Sequence, residues 1–137
     1  MCKKSFAASI PHLHSMLEFI QNSIPFHNIP PTLHHKIILA LEEALVNIID
    51  YGYPNQKGTI DIECSHTPLK NGIIIKIEDE GVPFNPASME VFPIQAHQKD
   101  EDYKVGGMGI YLYKNIMDEI NYSYINNKNC LILTKFF

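Results

Sequence analysis

The sequence predicts an α+β fold: a two-layer sandwich in which helices lie on one face of a mostly antiparallel sheet. Three observations point there. Two segments with helical periodicity come first, followed by two strand-like segments, a long aperiodic stretch, a third helix and two closing strands. The strands come in neighbouring pairs joined by short polar turns, Thr67 to Gly72 and Asn126 to Asn129. A length of 137 residues suits one domain, residues 1–137, with a single core.

Residues Cys2 to Ala8 read as a short edge strand. Ser9 to about Ser23 reads as a helix with Ile10, Leu13, Leu17 and Ile20 on one face, and Pro25, Pro30 and Pro31 bound a connecting loop. The central helix is predicted from Thr32, its N-cap, to about Asp50, with Leu33, Ile37, Leu41, Ala44 and Ile48 as its apolar stripe; Tyr51-Gly52-Tyr53-Pro54 stops it. Thr59 to Ser65 alternates, Ile60, Ile62 and Cys64 facing inward. The β-branched run Ile73 to Asp79 is apolar enough for a central strand. Ala87 to Val105 has poor periodicity and a charged tip, Lys99-Asp100-Glu101-Asp102, as a lid or binding loop would. Gly106-Gly107-Met108-Gly109 opens a helix to about Asp118, and Ile120 to Asn126 and Cys130 to Phe137 form a hairpin.

The apolar share of 45% and charged share of 19% are those of a globular protein. Net charge is -4, with no basic stripe, so nucleic acid is not the expected partner. No long apolar run marks a signal peptide or membrane span. Cys2, Cys64 and Cys130 are odd in number and far apart, which suits reduced thiols and a cytoplasmic setting. The histidine pairs His12/His14 and His34/His35 lack the spacing of a helical metal clamp and read as surface or packing residues.

Chemistry concentrates in three places. At about 100° per residue, Glu43 and Asn47 lie together at the edge of the central helix's stripe. Such a pair is common on helix surfaces. It also suits a carboxylate that polarises a hydroxyl, one turn from an amide oxygen ligating a hard cation such as Mg2+. Asp79-Glu80-Gly81 follows a buried strand: an acceptor-only carboxylate there suits an exocyclic amine, and Gly81 lets backbone approach a ring. Alone, Asp-x-Gly is an ordinary turn. Gly106-Gly107-Met108-Gly109 aims unpaired N–H groups and a helix dipole at an anion, yet it is neither a Walker A loop nor a dinucleotide fingerprint.

Taken together, Glu43-x-x-x-Asn47, then Asp79-x-Gly81, a long loop, and Gly107-x-Gly109 opening a helix resemble the ATP-binding (Bergerat) fold of gyrase, Hsp90-type chaperones and histidine kinases. The Tyr51-Gly52-Tyr53 ending and the run Asp79-Glu80-Gly81-Val82-Pro83-Phe84-Asn85-Pro86 most resemble the small anti-sigma-factor serine kinases, over nearly the whole chain. The resemblance implies ATP and Mg2+ as cofactors. Glu43 would be the base for a substrate serine, Asn47 the Mg2+ ligand, and Asp79 and Gly81 the adenine pocket. Lys104, Gly106, Gly107, Met108 and Gly109 would meet the phosphates, under an ATP lid at about 86–106. It also implies a sigma factor and an anti-anti-sigma (STAS-type) protein as partners, and a homodimer.

Three positions bear on that family pattern. Pro83 replaces a second glycine, as in many anti-sigma kinases. Val105 stands where the kinases commonly carry an Arg, beside Lys104, whose point charge lacks the Arg fork. Lys128-Asn129-Cys130 replaces the usual Gly-Thr before the last strand, which leaves one adenine contact unassigned. Two alternatives to the kinase are an ATP-shaped binding module without transfer and a stand-alone histidine-kinase catalytic domain. The latter has no room here for a separate phosphoacceptor domain.

Overall fold

The structure is a computed structural model that describes residues 2–54, 57–83 and 115–137. Five strands, β1 (Cys2–Ala7), β2 (Thr59–His66), β3 (Gly72–Asp79), β4 (Glu119–Ile125) and β5 (Lys128–Phe136), form one sheet in the order β1-β2-β3-β5-β4, every neighbouring pair antiparallel. The isoleucine-rich run lies in the middle and Cys2–Ala7 at an edge, as the sequence predicts.

Strict alternation decides which side chains meet the helices. Ile60, Ile62 and Cys64 of β2, Ile73, Ile75 and Ile77 of β3, and Leu131 and Leu133 of β5 are buried in one cluster with helix residues. Burying each of these larger side chains contributes about 1.5–3 kcal/mol. The same phase carries Asp79 and Asn129 onto the core face, where the register sets them opposite one another.

The helical layer comprises α1 (Leu13–Gln21), α2 (Ile24–His27) and α3 (Pro31–Asn47). α1 packs on α3, and α2 on β2 and β3. Several predicted boundaries move. The first helix begins as a 3-10 turn, Ile10–His12, around Pro11. A tighter turn advances each residue further round the axis, so Ile10 leaves the apolar face and is 50% exposed, while Met16 joins Ile20 in the core. The predicted loop at Pro25 contains α2, whose Phe26 is buried against the His34 ring at 4.9 Å. His34 also bonds the Ile29 carbonyl at 2.7 Å, a packing role.

Thr32 is not the N-cap of α3. Pro31 takes the first turn, where a fixed φ fits and no N–H is missed, and no side chain caps the helix. The α-helix ends at Asn47 rather than Asp50 and continues as a π-helical turn, Ile48–Gly52. The hairpin loop is two residues, not four: Asn126 and Asn127 have φ of 56° and 62°, the paired left-handed conformation of a tight hairpin turn. Lys128 and Asn129 therefore belong to β5. Of the helix predicted after Gly106, Asn115 and Ile116 are described and helical; the rest lies outside the described residues. No helix among the described residues is long and apolar enough to cross a membrane.

Candidate functional site

Glu43 and Asn47 sit one turn apart at the C-terminal end of α3. Glu43 is half-buried, and burial, with the neighbouring Glu42 charge, raises its carboxyl above the ordinary range. Asn47 is only 6% exposed, deeper than an edge position implies. Its Nδ2 is buried and has no hydrogen-bond partner among the described residues. A buried amide with an unsatisfied end costs about 1–3 kcal/mol, a cost that a ligand can remove.

The π turn then delivers the chain onto the end of β3. Gly52 O accepts from Val82 N at 2.8 Å. A Cβ on Gly81 would lie 2.4 Å from that same carbonyl oxygen, so glycine is required at 81 by the protein's own backbone. A Cβ on Gly52 would stand at an ordinary 3.6 Å from Asp79 Oδ1. The helix bearing Glu43 and Asn47 is thereby fastened to the Asp79-Glu80-Gly81 turn. Tyr53 adds a second fastening: its hydroxyl accepts from Glu80 N at 2.7 Å and donates to Thr59 O at 3.0 Å.

Asp79 is 6% exposed. Burial raises its carboxyl, opposed by two hydrogen bonds from Asn129 and Gly81. Both donors, Gly81 N and Asn129 Nδ2, reach Oδ1 at 2.9 Å. Asn129 Nδ2 also lies 3.2 Å from the Gly81 and Val82 carbonyls, and Asn129 Oδ1 accepts from the Tyr122 hydroxyl. The sequence places Asn129 in a turn, assigns no site role to it or to Tyr122, and marks Tyr53 only as part of the segment that ends the helix and carries the family resemblance. The signal was present in the alternation of Asn129 with Leu131 and Leu133, once the loop is shortened to two residues.

The structure thus brings together the helix end carrying Glu43 and Asn47 and the turn holding Asp79 and Gly81. Lys104, Val105, Gly106, Gly107, Met108 and Gly109, and the lid predicted at about 86–106, lie outside the described residues. Among the described residues no cluster of three acidic, histidine or cysteine side chains would hold a metal unaided. Mg2+ fits Asn47 in another way: this ion keeps several waters and needs few protein oxygens when phosphates complete its shell. Asn47 Oδ1 would be such an oxygen, while the unsatisfied Nδ2 is a hydrogen-bond donor that calls for an acceptor, such as a phosphate oxygen, and not for the cation. A cavity of about 600 Å³ opens at the other end of β3, lined by Asn28, His66, Lys70, Gly72 and Phe137 among others; it includes none of these residues.

The sequence pattern of the histidine kinase-like ATPase domain family matches residues 6–135. An anti-sigma F factor of Clostridium kluyveri is 29% identical over 96 residues, 70% of this chain and 65% of that protein. A serine-protein kinase RsbW of Listeria innocua is 22% identical over 101 residues, 72% and 62% of the two chains. The RsbW of Bacillus mycoides is 30% identical over 84 residues, 60% and 51%. The chain spans less than two thirds of the length of these curated relatives. The histidine kinase domain of a blue-light activated histidine kinase from Erythrobacter litoralis shares the fold, with a TM-score of 0.55 at 14% identity, over 91% of this chain and 59% of that one. The chain belongs to the histidine kinase-like ATPase domain family.

Proposed function

We propose that this member of the histidine kinase-like ATPase family is an ATP-dependent serine-protein kinase of the anti-sigma type. It binds a sigma factor and phosphorylates a serine of a STAS-type anti-anti-sigma protein. The observation that carries the reading is the junction of the α3 end with the Asp79 turn, which joins a carboxylate, a buried amide and a base-reading acid in one chain. The names of the Clostridium and Listeria relatives support the same choice. The protein is read as a single cytoplasmic domain, residues 1–137, acting as a homodimer, with an ATP lid at about 86–106.

In this reading Asp79 accepts a hydrogen bond from the adenine amine. Lys104 and the amides of Gly106, Gly107, Met108 and Gly109 hold the phosphates. Mg2+, held by Asn47, supplies charge neutralisation on the triphosphate. The substrate serine Oγ attacks the γ-phosphorus, the bond to the β–γ bridging oxygen breaks, and ADP leaves. Glu43 orients the hydroxyl and takes its proton; its raised affinity for protons suits that task. Positioning and electrostatics do most of the work in such a transfer.

The test is incubation with Mg-ATP and the cognate STAS-type protein, read by phosphoserine mass spectrometry. Phosphoserine that vanishes in Glu43→Ala, while ATP binding persists, is expected. No phosphoserine from the native protein, under conditions where the two proteins form a complex, refutes the kinase. A second reading, an ATP-dependent binding module without transfer, is favoured by Val105, which removes the usual transition-state cation. Calorimetric ATP affinity without any Glu43-dependent turnover selects it.

A further inference from the structure

Asn129 occupies the place where the sequence analysis left a base contact unassigned, and its surroundings say what it does. Three acceptors face its Nδ2: Asp79 Oδ1 at 2.9 Å and the carbonyls of Gly81 and Val82 at 3.2 Å. The other end of the amide, Oδ1, receives the Tyr122 hydroxyl from the neighbouring strand. Four partners thus agree on one orientation of the amide. Turned over, it would set an oxygen against three acceptors and an NH2 against the tyrosine. Asn129 is 5% exposed, so water is a poor substitute for these partners.

We propose that Asn129 is the positioning residue for base recognition: one amide, oriented by Tyr122, that clamps the Asp79 carboxylate to the Gly81–Val82 backbone and so sets selectivity for a 6-amino purine. The inference rests on the nucleotide reading above. With Gly81 N and Asn129 Nδ2 both spent on Oδ1, that oxygen and the carboxylate plane are fixed. The second oxygen meets no donor among the described residues and is the one left to read the base. It accepts from an amine and repels an oxo group, as an ionised carboxylate does. Without the clamp the carboxyl can turn, or hold a proton and donate to an oxo group, and discrimination is lost. Its partners include Asp79, Gly81, Val82 and Tyr122, and in this proposal its effect on the base runs through Asp79.

ATP and ITP differ at position 6, amine against oxo, and with it at N1, acceptor against N–H donor, so the ratio of their affinities reads the edge of the purine that faces Asp79. Calorimetry on the full chain with each nucleotide and Mg2+ is expected to favour ATP. In Asn129→Leu the ATP:ITP preference should fall about tenfold, the worth of about one hydrogen bond to a charged group. Tyr122→Phe, which keeps the ring and is the variant to rely on if Asn129→Leu fails to fold, should move the ratio the same way by a smaller factor. Equal weakening of both nucleotides at an unchanged ratio, in a variant that melts as a folded protein, overturns the inference and leaves ATP binding standing. Failure of the native protein to bind ATP overturns the nucleotide reading, and this inference with it.

Discussion

Gly81 and Gly52 face each other across the junction on which the site depends, and substitution should separate their roles. A methyl at 81 would lie 2.4 Å from Gly52 O and 2.7 Å from Gly52 C, both rigid backbone. Relieving that overlap means moving the turn away from the π turn, at about 1–3 kcal/mol for overpacking. It also means giving up the Val82 N to Gly52 O bond of 2.8 Å, about 1 kcal/mol more. A loss of about 2–4 kcal/mol lowers Tm by roughly 10 °C in a domain of this size. Gly52→Ala differs because its methyl meets Asp79 Oδ1 at 3.6 Å, an ordinary contact. Although Gly52 is buried, its added methyl meets no described atom closer than that, so Tm should hold within about 2 °C. Scanning calorimetry with and without Mg-ATP measures both. For Gly81→Ala the shift in Tm caused by nucleotide should shrink as well, because the turn that fixes Asp79 has moved. Equal melting of the two variants, or an unperturbed Gly81→Ala, would show that the helix end and the turn are not fastened as described.

Other substitutions follow from the same geometry. Asp79→Asn keeps an oxygen for Gly81 N and Asn129 Nδ2 but removes a buried charge. Because burial raises the Asp79 pKa in the folded state, its ionisation opposes folding at pH values above the unfolded value and ceases to do so in acid. Melting curves should therefore show the variant as stable as the native protein or more so at pH 7, the gain fading as pH falls through the raised folded pKa and gone below the ordinary carboxylate value of about 4, while ATP affinity drops at least about tenfold. Asn47→Ala removes an unsatisfied buried amide, so Tm should change little, whereas the Mg2+-dependent part of ATP binding should disappear in titrations with and without the ion. Tyr53→Phe strands the Glu80 N–H and the Thr59 carbonyl and should cost about 1–3 kcal/mol in urea denaturation. The Cys64 thiol, pushed up to about 11 by burial, should resist iodoacetamide at pH 8 until the protein unfolds, as peptide mapping would reveal.

What was legible in the sequence is what periodicity controls. Alternation points Ile60, Ile62 and Cys64 inward, and they are fully buried; the apolar run ending at Asp79 predicts a central strand, and it lies centrally. Glu43 and Asn47 fall on one helix face by arithmetic alone. Departures occur where local backbone geometry changes the period. A 3-10 turn at Pro11 rotated Ile10 out of the core, and two left-handed asparagines shortened a hairpin that composition suggested was longer. The second error hid Asn129, because a residue assigned to a turn has no face. The close approach of Gly52 to Gly81 was illegible for another reason: it joins segments 29 residues apart, and neither glycine announces its partner.

Strand phase carries a further consequence. The alternation that buries Ile73, Ile75 and Ile77 continues to Asp79 and sets a carboxylate on the core side of the sheet, where ionisation is unfavourable. A strand ending one residue earlier would leave that position in the turn, free to point to solvent. One residue of slip would turn the whole row outward. The chain therefore holds a charge at a costly position with an isoleucine ladder that has only one favourable register, and offsets part of the cost with Asn129 and Gly81 N. The same logic applies at Asn47, where the helix stripe that buries Ala44 and Ile48 also buries an amide with one end unsatisfied. In both places the polar group is deep because the apolar pattern around it leaves no alternative, and a ligand that satisfied both would bind most tightly to the fully folded state. Saturating Mg-ATP should accordingly raise stability in proportion to the logarithm of its concentration, and the double variant Asn47→Ala/Asp79→Asn should lose that response while remaining folded. A response that survives in the double variant would place the nucleotide elsewhere on the protein.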